Sequence, residues 1–117
     1  PFHSLLLRPA ARRLAERLAS VDFAAPAIAV LHNVDVAEHR SADEIRDALA
    51  EQAARPVRWS DTVRAIKARG VTTLVECGPG KVLTGLMRRI DESLEALAMS
   101  DDYDIDAAIA ATKAKSA

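Results

Sequence analysis

The 117-residue sequence predicts an α/β fold dominated by helices, with two short parallel strands among them. Three observations carry this expectation. The run Val71-Thr72-Thr73-Leu74-Val75-Glu76 is β-branched and apolar, Gly78-Pro79-Gly80 interrupts it, and apolar residues then recur at 82, 83, 86, 87 and 90. The period therefore changes from strand to helix across one tight turn. A second apolar run, Ala27-Ile28-Ala29-Val30-Leu31, is of the kind found in strands buried on both faces. Half of the residues are hydrophobic, but many are alanine and only 3% of the chain is aromatic, which favours slim helices over a bulky core.

Residues 1–4 read as a loop, and a helix follows to about Ser20. Leu7, Ala10, Ala11, Leu14, Ala15 and Leu18 share one stripe of it. Arg8, Arg12, Arg13, Glu16 and Arg17 cover the other side as a solvated face, with Glu16 near Arg12 and Arg13. Pro9 cannot donate a backbone hydrogen bond, so the regular helix is expected to begin close to it. His32-Asn33-Val34-Asp35 ends the first strand. Polar residues just past a buried strand's carboxyl end lie where open α/β sheets keep their ligands, so Asn33 and Asp35 are site candidates, with turn formation as their alternative role.

Ser41-Ala42-Asp43-Glu44 spells a capping box and starts a helix whose apolar face is Ile45, Ala48 and Leu49. The next position on that face is Gln52. From the residues alone, this amide marks either a polar inward site or a helix end running out into solvent. Arg55-Pro56 stops the helix. Trp59, Val63 and Ile66 form the stripe of the next one, which closes with Lys67, Arg69 and the left-handed cap Gly70. After the strand 71–76, a helix runs to about Ile90 with Arg88 and Arg89 suited to its carboxyl end. A short helix is expected from about Ile105, with a frayed tail from Lys113 to Ala117. Two strands make a poor sheet, and the chain opens on Pro1, so a longer protein is expected to complete the fold.

Several function classes are set aside at this level. With 16 Lys plus Arg against 17 Asp plus Glu, the formal charge of −1 offers no global field for a polyanion, and no nucleic acid is expected as a partner. One cysteine cannot form an internal disulfide. No apolar run approaches the roughly 18 residues of a membrane span, so no membrane partner is expected and the reading is a soluble, cytoplasmic protein. The Gly80-Lys81 pair is not a phosphate loop, because Val75 stands where the leading glycine belongs and Val82 where the hydroxyl belongs. Leu83 likewise breaks the dinucleotide fingerprint. What remains is a sharp turn bringing a helix amino end, where anions can sit, close to a strand tip. His3, His32, His39 and Cys77 show no short ligand spacing, so no metal is expected, and Cys77 reads as a small core residue.

His3 stands apart, in an apolar loop directly before a helix. Several separated stretches, in order, resemble the malonyl-CoA:acyl carrier protein transacylases, the family that loads malonyl groups for fatty-acid synthesis. They are Pro1-Phe2-His3-Ser4, Asn33-Val34-Asp35, Ile45-Arg46-Asp47-Ala48-Leu49, Pro56-Val57-Arg58-Trp59 and Glu76-Cys77-Gly78-Pro79-Gly80-Lys81-Val82-Leu83. The resemblance runs to about Ile90. It implies that residues 1–117 are the C-terminal segment of one α/β-hydrolase-like, parallel-sheet acyltransferase domain, with 1–4 the catalytic histidine loop and 91–117 a C-terminal tail. It implies His3 as the general base and acid of a Ser-His dyad, and the backbone carbonyl of Gln52 as the group that orients it.

The family's serine elbow, oxyanion hole and malonyl-binding arginine would lie before His3, so the chain alone is expected to be inactive. The implied partners are acyl carrier protein, malonyl-CoA and the missing N-terminal part of the same protein. No cofactor is implied, because the coenzyme A thioester is a substrate. Phe2 looks like the residue that accompanies malonyl preference in related domains. The competing readings are an acyltransferase domain of a modular polyketide synthase and a non-catalytic interaction module that keeps the fold.

Overall fold

Pro9 sits in the first turn of the first helix, where a missing amide costs nothing. In the computed structural model that helix, α1, spans Arg8–Leu18 and is entered through a 3-10 turn at Leu5–Leu7. The structure describes residues 2–100 and 102–114; Pro1 of the histidine loop and residues 115–117 of the expected tail lie outside the described residues. The chain divides into two units, Pro1–Thr62 and Val63–Ala117.

In the first unit α1 packs along α2, Ala42–Glu51. The start of α2 is written in its sequence: Ser41 Oγ accepts from the Glu44 amide, and the Glu44 carboxylate accepts from the Ser41 amide, both at 3.3 Å. Ile45 and Ala48 are buried as their spacing requires. The stripe of α1 buries less than expected. None of its residues is buried and Leu14 stays 37% exposed, because a stripe made mostly of alanine reaches little of a neighbour.

Arg46, on α2, fastens the two helices. Its Nε donates to the Leu18 carbonyl at 3.0 Å and its Nη2 to the Val21 carbonyl at 2.8 Å, while Nη1 holds Asp43 at 2.8 Å. The guanidinium also lies 5.4 Å from the centre of the Phe23 ring. Leu18 is the last residue of α1, so its carbonyl has no partner within the helix and accepts from both Arg46 and the Val21 amide, the latter at 3.0 Å.

The expected strand at 27–31 is corrected by the structure. Only Leu31 belongs to a strand: β1, Leu31–His32, pairs antiparallel with β2, Ala37–Glu38, across a four-residue turn. Ile28 is 81% exposed and Val30 48%. A strand apolar on both sides needs neighbours on both sides, and the only described partner of this segment is a short hairpin. The turn itself is tightly made. Val34 is buried, the Val36 amide donates to the His32 carbonyl at 2.9 Å, and Val36 takes a left-handed φ of 62°, unusual for a β-branched residue.

α3, Trp59–Ala68, ends on Gly70 at φ 85°, whose amide donates to the Lys67 carbonyl at 2.9 Å. Val63 is fully buried on its expected stripe. In the second unit, β3, Thr73–Cys77, is followed by α4, Val82–Ile90, and β4, Glu95–Met99. The parallel pair is β3 with β4, in register from Thr73 opposite Glu95 to Cys77 opposite Met99, and not 71–76 with 27–31. β4 lies in the stretch read as a tail, and α5, Asp102–Ala114, starts three residues before the expected Ile105. Arg88 leaves the end of α4 and donates instead to the Ala96 carbonyl of β4 at 3.0 Å.

Lys67 Nζ donates to the Asp91 carboxylate and, at 2.7 Å, to the Ser93 hydroxyl; the Ser93 amide donates to Asp91 at 3.0 Å. The Lys67 ammonium, helped by Ser93, holds the Asp91 carboxyl down at about 2 from its ordinary 3.8. A carboxylate depressed in the folded state adds stability above its unfolded value and loses that contribution as pH falls toward its folded value. Unfolding free energy is therefore expected to drop as pH falls from 3.8 toward about 2, and Asp91→Asn to flatten that limb, measured by denaturant titration across the acid range.

Candidate functional site

His3 and Gln52 are 49 residues apart in sequence, and the fold of the first unit brings them together: His3 Nδ1 lies 2.7 Å from the Gln52 carbonyl oxygen. Two local features set this distance. Gln52 is the C-cap of α2, with helical φ −61° and ψ −22°. Past it the Ala53, Ala54 and Arg55 amides turn back onto the Ala50 and Glu51 carbonyls. A helix's last carbonyls have no intrahelical partner, so that of Gln52 is open to a side-chain donor. On the other side, His3 takes a left-handed φ of 56°, a conformation a non-glycine residue keeps only when its surroundings enforce it.

The acceptor decides the tautomer. A carbonyl oxygen has only lone pairs to offer, so the 2.7 Å contact requires hydrogen on Nδ1, and in the neutral ring Nε2 then carries the free lone pair. The side chain is exposed, and the ring borders an open groove of about 630 Å³ whose walls include Leu5, Arg8, Glu51, Arg55 and Pro56. An imidazole pinned through one nitrogen, with the other facing open space, can accept a proton from a hydroxyl or thiol placed there and return it. Gln52 is half-buried. The atom that meets His3 belongs to its backbone, so no side-chain signal at 52 announces it.

The other candidates do not join this pair. Asn33 and Asp35 make the hairpin turn: the Asn33 carbonyl accepts from the Arg58 amide at 2.9 Å, and Asp35 Oδ1 accepts from the Ala37 amide at 3.1 Å. Asp35 Oδ2 lies 2.8 Å from His39 Nε2. Burial pushes the Asp35 carboxyl up, but the bonds from His39 and Ala37 outweigh it and leave it below its ordinary value. His32 is buried, with its ring 5.1 Å from that of His39. Among the described residues no group of three or more His, Cys, Asp or Glu is arranged to hold a metal ion. Cys77, expected in the core, is exposed, because it is the last residue of β3.

The amino end of α4, where the sequence left room for an anion, is filled by the chain's own Glu76. Its carboxylate accepts from the Leu83 amide at 3.1 Å, the Thr84 amide at 2.7 Å and the Thr84 hydroxyl at 2.8 Å. The Thr84 amide above all holds the Glu76 carboxyl below its ordinary value. Gly78 and Gly80, at φ 146° and 106°, shape the turn that swings the helix onto its own cap. Sequence reasoning missed this cap, since it looked for an external anion.

The malonyl CoA-acyl carrier protein transacylase of Salmonella typhimurium is 47% identical to this chain over 109 residues, which make up 93% of this chain and 35% of that protein. The Bacillus subtilis protein of the same name is 39% identical over 113 residues, 97% of this chain and 36% of the other. Among solved structures, the acyl-carrier-protein S-malonyltransferase of Burkholderia pseudomallei aligns with a TM-score of 0.89 at 51% identity, covering 92% of this chain and 35% of that one. A structure of a type II PKS acyl-carrier protein in complex with its malonyl-transacylase aligns with a TM-score of 0.86 at 46% identity, over 89% of this chain and 34% of that one. No family model matches the chain. The chain spans about a third of the length of the curated relatives it matches, 35% of the Salmonella protein. In sequence and in backbone it corresponds to the C-terminal part of the malonyl-CoA:acyl carrier protein transacylase family.

Proposed function

We propose that this chain is the C-terminal segment of a single acyltransferase domain and supplies the general base and acid for moving a malonyl group from coenzyme A to the phosphopantetheine thiol of an acyl carrier protein. The observation that carries this reading is the 2.7 Å contact from His3 Nδ1 to the Gln52 carbonyl, which leaves Nε2 as the proton acceptor. The nucleophile is a serine in the part of the protein that precedes His3. Nε2 takes the hydroxyl proton as the serine oxygen bonds to the thioester carbonyl carbon, and the tetrahedral adduct collapses with breakage of the carbon–sulfur bond. The imidazolium then returns its proton to the departing thiolate, leaving malonyl-serine. In the second half, the carrier thiol gives its proton to Nε2, attacks the ester, and the serine oxygen recovers the proton.

Both reactants are thioesters or thiols, so the reaction draws on no cofactor, and malonyl-CoA is a substrate. With no helix among the described residues long and apolar enough to cross a membrane, a cytoplasmic setting fits these water-borne substrates. The missing part also accounts for the apolar run from Ala27 to Val30, which lies exposed where a larger sheet would cover it. The Salmonella and Bacillus relatives, matched over 93% and 97% of this chain, carry transacylase names, which favours a free-standing enzyme over a modular-synthase domain.

Ser4 adjoins His3 but is no substitute nucleophile, because neighbouring residues rarely present their side chains to each other in the needed geometry. The chain alone is therefore expected to stay unmodified when incubated with malonyl-CoA and weighed by intact-mass spectrometry. Joined to its upstream part, the protein is expected to gain one malonyl on a serine before His3. A malonyl adduct on the chain alone, or none on the joined protein, would refute this reading.

A further inference from the structure

Gly85 stands in the middle of α4, where glycine is worse than alanine because its backbone loses more freedom on folding. No left-handed φ calls for it, in contrast to Gly70, Gly78 and Gly80. A Cβ added at Gly85 would meet nothing within 4 Å beyond its own stretch of helix, so no described neighbour is close enough to demand a missing side chain. A glycine that the second unit does not need is accounted for by a close neighbour that the described residues do not contain.

The face around it has the same character. α4 packs on β3 and β4 and buries Thr84 and Met87. On its other side, spaced three and four residues apart, stand Val82, Gly85, Leu86 and Arg89. Val82 is 71% exposed, and Leu86 and the flanking Leu83 are exposed as well. A surface helix keeps one apolar stripe and a polar back, whereas a helix apolar on both sides is buried on both. The sheet beneath is equally unfinished. β3 and β4 are a parallel pair with no third strand among the described residues, and parallel strands belong to larger sheets covered on both faces.

We propose that the outer face of α4 seats an apolar segment from the part of the protein that precedes His3, and that the backbone of this segment comes closest to α4 at Gly85; this rests on the reading above that such a part completes the domain. The chain spans 35% of the Salmonella relative, so most of a protein of that length lies outside it and can supply the segment. A second copy of the chain fits less well. α4 is about 14 Å long, too short by itself to give the roughly 800 Å² per partner of a stable interface.

In the intact protein, Gly85→Ala is expected to lower the folded-to-unfolded ratio roughly 10-fold in denaturant titration, because the new methyl group meets the packed segment. On a face open to water the same change would raise that ratio about 5-fold, since alanine is the better helix former. The sign therefore separates the two cases. Labelling by a photogenerated carbene, read residue by residue in the mass spectrometer, needs no variant: Val82 and Leu86 are expected to be labelled as little as the buried Met87. No loss of stability from Gly85→Ala, or labelling of Val82 and Leu86 far above Met87, would overturn the proposal. Protection that disappears as a dimer is diluted would also overturn it, by assigning the face to a second copy. If the face fails in these ways while one serine still gains malonyl, the transferase reading stands without it. Protection together with a loss from Gly85→Ala, in a protein that never gains malonyl, would uphold the packing face and defeat the transferase reading.

Discussion

His3→Ala is expected to lower the rate of malonyl loading by the intact enzyme about 10³-fold, with KM for malonyl-CoA little changed. A serine hydroxyl is a weak nucleophile until its proton is taken, and the departing thiolate is stabilised when it receives that proton. In the proposed mechanism one imidazole does both, so its removal is expected to affect both halves of the reaction. The loop offers no replacement: Ser4 is the neighbour of His3, and the Ser4 carbonyl is already taken by the Leu7 amide at 2.9 Å. His3→Asn separates chemistry from folding, because asparagine tolerates the left-handed φ of 56° that this position requires. Both variants are expected to be equally slow in rapid-quench loading assays, and His3→Asn to unfold at the wild-type denaturant concentration. Gln52→Ala is expected to keep nearly full activity, since the backbone supplies the orienting oxygen. A His3→Asn enzyme that loads malonyl at a near-native rate would remove His3 from the mechanism.

Arg46→Ala is expected to cost about 2 to 3 kcal/mol of unfolding free energy, the largest stability loss of any single change considered for the first unit. The side chain makes three charge-assisted hydrogen bonds, two of them to carbonyls at and just beyond the end of α1, and its guanidinium lies over Phe23. At 23% relative exposure it is largely shielded from competing water. Arg46→Lys is expected to recover little, because a single ammonium cannot span the Leu18 and Val21 carbonyls as the planar fork does. Equilibrium denaturation of both variants checks the magnitude. The consequence extends to the site: the groove beside His3 is bordered by Arg8 on α1 and Glu51 on α2, the two helices that Arg46 joins. A loss near zero would show that the two helices are held by other contacts.

How much of this was legible in the sequence depends on how local each cause is. The capping box at Ser41 and Glu44, the start of α1 at Pro9 and the end of α3 at Gly70 were all readable, since each is settled within a few residues. The strand Glu95-Ala96-Leu97-Ala98-Met99 was not. Alanine, leucine and methionine carry helical preference, and only pairing with Thr73–Cys77, some twenty residues back, makes them extended. The opposite error occurred at Ala27–Leu31, where composition asked for a buried strand and the described residues supply nothing to bury it. The sites of Arg46 and Glu76 are invisible to pattern reading, because a carboxylate or guanidinium on an exposed-looking helix or strand end gives no sign that its partner is a backbone group. The meeting of His3 with Gln52 is the hardest case. It depends on a main-chain oxygen 49 residues away, and only the family resemblance singled it out.

The most direct measurement is ¹⁵N NMR of the His3 ring in the folded chain at about pH 8.5, some two units above the ordinary imidazole value. The expected result is a single neutral tautomer, with Nδ1 in the protonated, pyrrole-like range and coupled to its hydrogen, and Nε2 in the unprotonated, pyridine-like range. Protonation on Nε2, or averaged shifts from a freely exchanging ring, would mean that the Gln52 carbonyl does not hold the imidazole, and the proposed proton transfer would have no fixed acceptor.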